Sequence, residues 1–268
     1  MLYAYQRGLD GKPVATNMFL DATASGIQIM AALSNCWETA QCVNLVGEGR
    51  EDIYDILAKR MNQHLEINDH VTRALVKYPL MTHYYNSKVR PRQEFNKQQL
   101  EAFYEALNGA FPGAEDVLES INSCWVNAYK YTWTLPDKHR AVIRSKITAS
   151  TMIPIMDSEF YYEYTKYQPS GNGNHLSPNI IHSLDGYIAR EMVERCDFRI
   201  AHIHDAFTAH PNNMGKVCET YRELLAEIAD ATTLQNILRE ITGNFRLKYN
   251  KLGTSLSPYI RASVHALS

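Results

Sequence analysis

The chain lacks the familiar nucleotide and hydrolase loops: it has no Gly-x-x-x-x-Gly-Lys, no Gly-x-Gly-x-x-Gly and no Gly-x-Ser-x-Gly. Cysteine is sparse. The five residues (Cys36, Cys42, Cys124, Cys196, Cys218) are odd in number and contain no Cys-x-x-Cys pair. This pattern argues against a disulfide framework and a structural zinc site, and predicts reduced thiols in a cytoplasm. No apolar run is long enough to span a bilayer. Met1 is followed at once by polar and aromatic residues, so no secretory leader is expected. Internal repeats and low-complexity tracts are absent, and a net charge of −2 excludes a uniformly basic nucleic-acid binder.

What the chain does have is segregated charge. Between Lys59 and Lys97 lie eight basic residues against three acidic ones, while acids collect between Glu101 and Glu119. A second basic run, Lys130, Lys138, Arg140, Arg144 and Lys146, has only Asp137 as a counter-charge. Basic surface beside acidic surface suits a polyanion held in a cleft, although a charge run can equally be a solvated face. At 268 residues the chain can bury a substantial core.

The most informative stretch is Arg73 to Asn86. Arg73, Lys77, Met81 and Tyr85 fall four apart, so on a helix they form one slowly wrapping ridge. Its cationic end could hold phosphate oxygens and its Met and Tyr end a flat or sugar-like group. The plainer alternative is a solvated basic helix with a core Met and Tyr. Pro79 interrupts the ridge, removes the hydrogen bond to the Leu75 carbonyl and predicts a kink.

Elsewhere the pattern predicts an α+β protein, mostly helical. Phe19 and Leu20 read as a strand delivering Asp21, and Ser25 as the N-cap of a helix over 26–33. Helices are expected over about 51–65, 94–107, 115–133, 178–196, 213–230 and 232–243. One or two strands or a hairpin are expected within 141–167, followed by a loop at Gly171–Asn174. A tight hairpin over 198–209 would carry His204 and Asp205 at its tip. Two strand-end carboxylates, Asp21 and Asp205, could bridge a pair of Mg²⁺ ions while Arg73 and Lys77 neutralise phosphates, the set that a nucleotidyl transfer needs. Asp21 read alone could as well cap a turn.

Taken together, four segments resemble the successive motifs of single-subunit, T-seven-like DNA-dependent RNA polymerases of phages, mitochondria and plastids. They are Leu20-Asp21-Ala-Thr-Ala-Ser25-Gly26-Ile27-Gln28; Arg73-x3-Lys77-x3-Met81-x3-Tyr85; His182-Ser183-Leu184-Asp185-Gly186; and Ile203-His204-Asp205-Ala-Phe207. Val43-Asn44-Leu45, Asp52-Ile53-Tyr54 and Ala58-Lys59 add to the match. The resemblance implies a partial right-hand polymerase fold without thumb or amino-terminal domain. Palm would occupy 1–50, fingers 51–135 with a nucleotide-binding helix over 72–86, and palm again 136–268, with a short hairpin over 151–177 and the second catalytic motif over 198–209.

The resemblance also implies roles. Asp21 and Asp205, with the Ala22 carbonyl, would hold two Mg²⁺ ions. Arg73 and Lys77 would bind the incoming triphosphate, Met81 would lie near the base, Tyr85 would recognise the ribose, and His182 would lie near the sugar and nascent RNA. Related DNA polymerases carry a Glu five residues after the first catalytic Asp, where this chain has Gly26. Together with Met81 and His182 this favours ribonucleotides. Where the family usually has Gly, this chain has Ala22 and Asn86; Asn tolerates left-handed backbone. With 20 residues before Asp21, the resemblance implies either a truncated product or one half of a polymerase made from two polypeptides. It favours the second, the catalytic subunit of a heterodimer like that of N-four-like lytic phages. Such a subunit would act in the bacterial host cytoplasm during infection, on DNA template, nascent RNA and NTPs. A second subunit would carry the amino-terminal half, and a promoter-activating or single-stranded-DNA-binding factor would assist. The alternatives are a catalytically silent nucleic-acid-binding subunit and a DNA polymerase-like fragment.

Overall fold

The computed structural model describes residues 2–87, 89–156, 158–169 and 175–268. The chain forms α1 (Leu2–Leu9), β1 (Met18–Asp21), α2 (Ser25–Ser34), α3 (Trp37–Cys42), α4 (Ile53–Asn62), α5 (Arg73–Tyr84), α6 (Val89–Glu94), α7 (Lys97–Leu107) and α8 (Pro112–Ser123). Then come β2 (Lys130–Thr134), β3 (Arg140–Arg144), β4 (Lys146–Ile155), β5 (Ser158–Tyr167), α9 (Leu176–Arg195), β6 (Ile200–Ile203), β7 (Ala206–Ala209), α10 (Met214–Asp230), α11 (Thr233–Thr242) and α12 (Ser257–Ala262). The class is α+β and mostly helical, as the sequence predicts. No described helix is long and apolar enough to cross a membrane, and all five cysteines are free.

Helix α2 is the centre of the molecule. Its Ile27, Ile29, Met30, Ala31, Ala32 and Leu33 are all buried, so it is apolar on every side, as a helix packed all round must be. It packs against α3, α8, α9 and α10. Its one large polar side chain, Gln28, is fully satisfied: Nε2 donates to the Val43 and Ala266 carbonyls, both at 2.9 Å, and Oε1 accepts from Tyr221 Oη at 2.7 Å. Burial without those partners would cost about 1–3 kcal/mol per orphaned group.

The contact between α2, α3 and α8 depends on a glycine. A Cβ on Gly113 would lie 2.5 Å from both Cys36 Cβ and Ser34 Oγ, and its N–H donates to Thr39 Oγ1 at 2.9 Å. Overpacking of this kind costs about 1–3 kcal/mol or more. Gly113→Ala is therefore expected to lower the unfolding free energy by that amount, seen as a lower denaturant midpoint at an unchanged m-value.

Among the described residues three small antiparallel sheets complete the fold. The first has the order β1-β7-β6, with Asp21 opposite Ala206 and Ile203 opposite Ala206 across the second pair. The second pairs β2 with β3, and the third pairs β4 with β5. The hairpin of β4 and β5 runs from Lys146 to Tyr167, so it starts and ends earlier than the 151–177 expected. Its ten-residue strands reach roughly 33 Å.

Several boundaries differ from expectation for identifiable reasons. The helix expected over 115–133 stops at Ser123, and Lys130–Thr134 is a strand. Tyr131 and Trp133 alternate inward and are fully buried, a period of two that the surrounding small residues obscured. Ser25 is not the N-cap of α2. That place is taken by Ala24, at φ 55°, and Ser25 is the first helical residue. Helix α7 starts at Lys97 because Asn96 and Gln99 form a capping box. Helix α5 continues through Pro79, and Asn86 beyond it takes the left-handed conformation expected of it, with φ 61°. The loop expected at Gly171–Asn174 lies outside the described residues.

Candidate active site

The sheet register brings the two distant carboxylates together. Asp21 ends β1 opposite Ala206, and Asp205 immediately precedes Ala206 in the two-residue turn between β6 and β7. The Ala22 N–H donates to the Asp205 carbonyl at 3.3 Å, so the pairing carries on past the strand ends. Two residues in this corner adopt left-handed backbone, His204 (φ 55°) and Ala24 (φ 55°). For a non-glycine residue such backbone costs on the order of 1 kcal/mol, and it is tolerated here where the chain must turn sharply between a carboxylate and a helix.

Both carboxylates open onto a cleft of about 700 Å³. Its walls include Asp21, Ala22, Arg73, Lys77, Met81, Tyr85, His182 and Asp205, the whole of the residue set expected from the sequence. The ridge of α5 forms one wall, with Arg73 and Lys77 exposed near its start and Met81 partly buried against the core. Tyr85 is the C-cap of α5, and its ring lies against the His182 ring with centroids 4.8 Å apart and planes at 35°. His182 comes from α9, the long helix that packs on α2.

The electrostatics are those of crowded acids facing cations. Burial pushes the Asp21 carboxyl above its ordinary range, Asp205 adds to the rise, and the Ala22 backbone N–H and Lys77 oppose it. Burial also raises the Tyr85 phenol to about 12, with Asp185 and Asp205 contributing, so it stays a neutral O–H donor. Burial lowers His182, helped by His204, which keeps its imidazole neutral at pH 7.

Four further wall residues, Asp185, Asp52, Tyr54 and Asn44, were not given roles from the sequence. Asp185 lies three residues after His182, and thus on the same face of α9, a spacing that could have revealed it. Burial and Asp205 raise its carboxyl to about 6, against a hydrogen bond with Ser25. Asp52 and Tyr54, noticed only as parts of a matching segment, contact the cations of α5 directly. Asn44 ties the neighbouring loops: Nδ2 donates to Thr23 Oγ1 at 3.1 Å and Oδ1 accepts from the Glu51 N–H at 2.7 Å.

The family model described as DNA-dependent RNA polymerase matches residues 15–152 and 140–262. Mitochondrial DNA-directed RNA polymerase 1 of Nicotiana sylvestris is 25% identical over 278 residues, a stretch covering 84% of this chain and 27% of that protein. A probable DNA-directed RNA polymerase of Gelasinospora sp. (strain G114) is 27% identical over 277 residues, covering 79% of this chain and 33% of that protein. The chain thus spans about a third or less of the length of the curated relatives it matches. These relatives are plant mitochondrial and fungal, which overturns the expected location in a bacterial host cytoplasm. The motif residues that carry the resemblance hold no cellular address. With four motifs in order, gathered on one cleft, and a family match over most of its length, this chain belongs to the single-subunit DNA-dependent RNA polymerase family.

Proposed function

We propose that this chain carries the nucleotidyl-transfer centre of a DNA-directed RNA polymerase, adding ribonucleotides from NTPs to an RNA 3′ end under the direction of a DNA template. The observation that carries this reading is the single cleft shared by Asp21, Asp205, Arg73, Lys77, Tyr85 and His182. Palm is then the β1-β7-β6 sheet with α2 and α9, and fingers the helices from α4 to α8.

Among the described residues no group of three or more His, Cys, Asp or Glu side chains is placed to hold a metal ion. Magnesium does not require one, because it is commonly held by one or two carboxylates together with substrate phosphates and waters. Asp21 and Asp205, with the Ala22 carbonyl beside them, fit that description. Burial raises the Asp21 carboxyl and the charge of Asp205 adds to the rise, and a divalent cation offsets both. When bound, two magnesium ions activate the attacking 3′ oxygen and stabilise the departing pyrophosphate. The chain's own side chains do the rest. Arg73 and Lys77 neutralise the triphosphate, Met81 packs near the base, Tyr85 offers its O–H to the ribose, and neutral His182 supports the Tyr85 ring and faces the sugar and nascent RNA.

Template, RNA and NTPs are held jointly with polypeptide that corresponds to the rest of the longer relatives, joined to this chain or carried by a second subunit. A promoter-activating or single-stranded-DNA-binding factor completes promoter use. The test is RNA primer extension on a bubble template with this chain and its neighbouring gene product. Template-dependent, Mg²⁺-dependent ribonucleotide addition is the expected result. Template binding with no addition under any metal would establish the catalytically silent alternative instead.

A further inference from the structure

Arg73 and Lys77 occupy the first two turns of α5, the end of a helix where the backbone dipole disfavours cations. Something outside the helix must hold them there, and the start of α4 supplies it. Asp52 is the N-cap of α4, and its Oδ1 accepts from the Tyr54 N–H at 2.9 Å and the Asp55 N–H at 3.3 Å. The cap fixes the carboxylate and leaves Oδ2 free to accept from Arg73 Nε at 2.6 Å. Tyr54, two residues on and almost fully buried, presents its ring to both cations. The Arg73 guanidinium carbon is 5.3 Å and the Lys77 ammonium 5.7 Å from its centroid, within cation–π range.

This arrangement is directional. Asp52 engages Arg73 only through Nε, and the outer Nη1 and Nη2 edge makes no hydrogen bond within the described residues. That edge is the fork that pairs with two phosphate oxygens. All four side chains line the cleft that holds Asp21 and Asp205. We propose that Asp52 and Tyr54 are positioning residues for the triphosphate: Asp52 grips Arg73 by Nε and Tyr54 underlies both cations, so that the Nη edge and the Lys77 ammonium are aimed at the phosphates before the nucleotide arrives. The proposal rests on reading the cleft as an NTP site. Asp52 is a durable anion for this purpose. Burial pushes its carboxyl up, but the Arg73 hydrogen bond and the two capping N–H groups outweigh that and hold it below the ordinary range.

The variant that separates positioning from capping is Asp52→Asn, because Asn caps a helix about as well as Asp but cannot pair with Arg73 as an anion. Affinities for ATP and AMP are measured by calorimetry on the intact chain in Mg²⁺, with thermal midpoints recorded in parallel. Asp52→Asn is expected to keep the wild-type midpoint, to bind ATP about 10-fold more weakly and to bind AMP unchanged, the scale on which an outer partner acts through the group it orients. Tyr54→Phe, which keeps the ring, should bind ATP like wild type, and Tyr54→Leu should lose affinity for ATP alone. Asp52→Ser, also a good cap, serves in place of Asp52→Asn if the latter unfolds. ATP affinity equal to or tighter than wild type in a folded Asp52 variant overturns the proposal, because the carboxylate would then be only a cap or a competitor of the phosphates. Arg73→Gln is the control for the underlying reading. A wild-type chain that does not prefer ATP over AMP, or whose preference survives Arg73→Gln, refutes the NTP site itself.

Discussion

Asp205→Ala is expected to reduce ribonucleotide addition by at least ~10³-fold while leaving the protein folded. One preorganised electrostatic stabiliser is worth about 10²–10³ in rate, and a carboxylate shared between two catalytic cations does more than one such group. Stability should survive because Asp205 sits in the turn between β6 and β7, where its backbone carbonyl, kept in the variant, still accepts from the Ala22 N–H. Relative to the wild type, the variant should even gain stability with rising pH. In the wild type, burial and then Asp205 raise the folded-state pKa of Asp21 above its unfolded value, so the folded protein loses stability as pH rises from the unfolded pKa of Asp21 through its folded one. Removing Asp205 removes part of that loss. The stability difference between variant and wild type should be near zero where Asp21 is protonated in both states, and should favour the variant above that window, in metal-free denaturant titrations. Primer extension at the wild-type rate by folded Asp205→Ala would end the metal assignment.

How much of this was legible in the sequence depends on how local each signal is. Asp21 after a short apolar run and Asp205 at the tip of a tight hairpin are local patterns, and the structure has both, in one sheet. The ridge of α5 was equally readable, since a spacing of four needs only a helix to align it. What local pattern could not show is which partner each group meets. The pairing of Asp52 with Arg73 joins residues 21 apart on two helices, and no periodicity encodes it. Trp133 read as part of a helix because its reason for being in a strand is remote: its indole N–H donates to Ser183 Oγ, 50 residues away, at 3.0 Å. Ser25 read as a cap because its type suits one, yet its side chain is committed to Asp185 on α9. The compartment was misjudged for a different reason. The residues that carry the family resemblance encode no compartment, and the relatives they point to are plant mitochondrial and fungal.

The other large effect concerns the sugar. Tyr85 closes α5 with its ring on His182, and its phenol, kept neutral by burial, can donate to a ribose 2′-oxygen at any pH at which the enzyme would work. The space in front of that hydroxyl exists because residue 26 has no side chain. A Cβ there would lie 3.1 Å from Tyr85 Oη and 3.4 Å from Ile181 Cγ2. A site that hydrogen-bonds a substrate hydroxyl rejects the analogue lacking it, because its own polar group is left unpaired. Tyr85→Phe removes that group, so discrimination between ribo- and deoxyribonucleotides should fall by about 10- to 100-fold, chiefly through better use of the deoxy substrate. Gly26→Glu acts in the opposite sense on the ribo substrate: the carboxylate fills the space a 2′-hydroxyl needs, and ribonucleotide use should fall while deoxyribonucleotide use persists. Competitive single-turnover extension with matched rNTP and dNTP pairs measures both. If Tyr85→Phe discriminates as sharply as wild type, the ribose is read elsewhere in the cleft, and His182 on the facing helix becomes the residue to test.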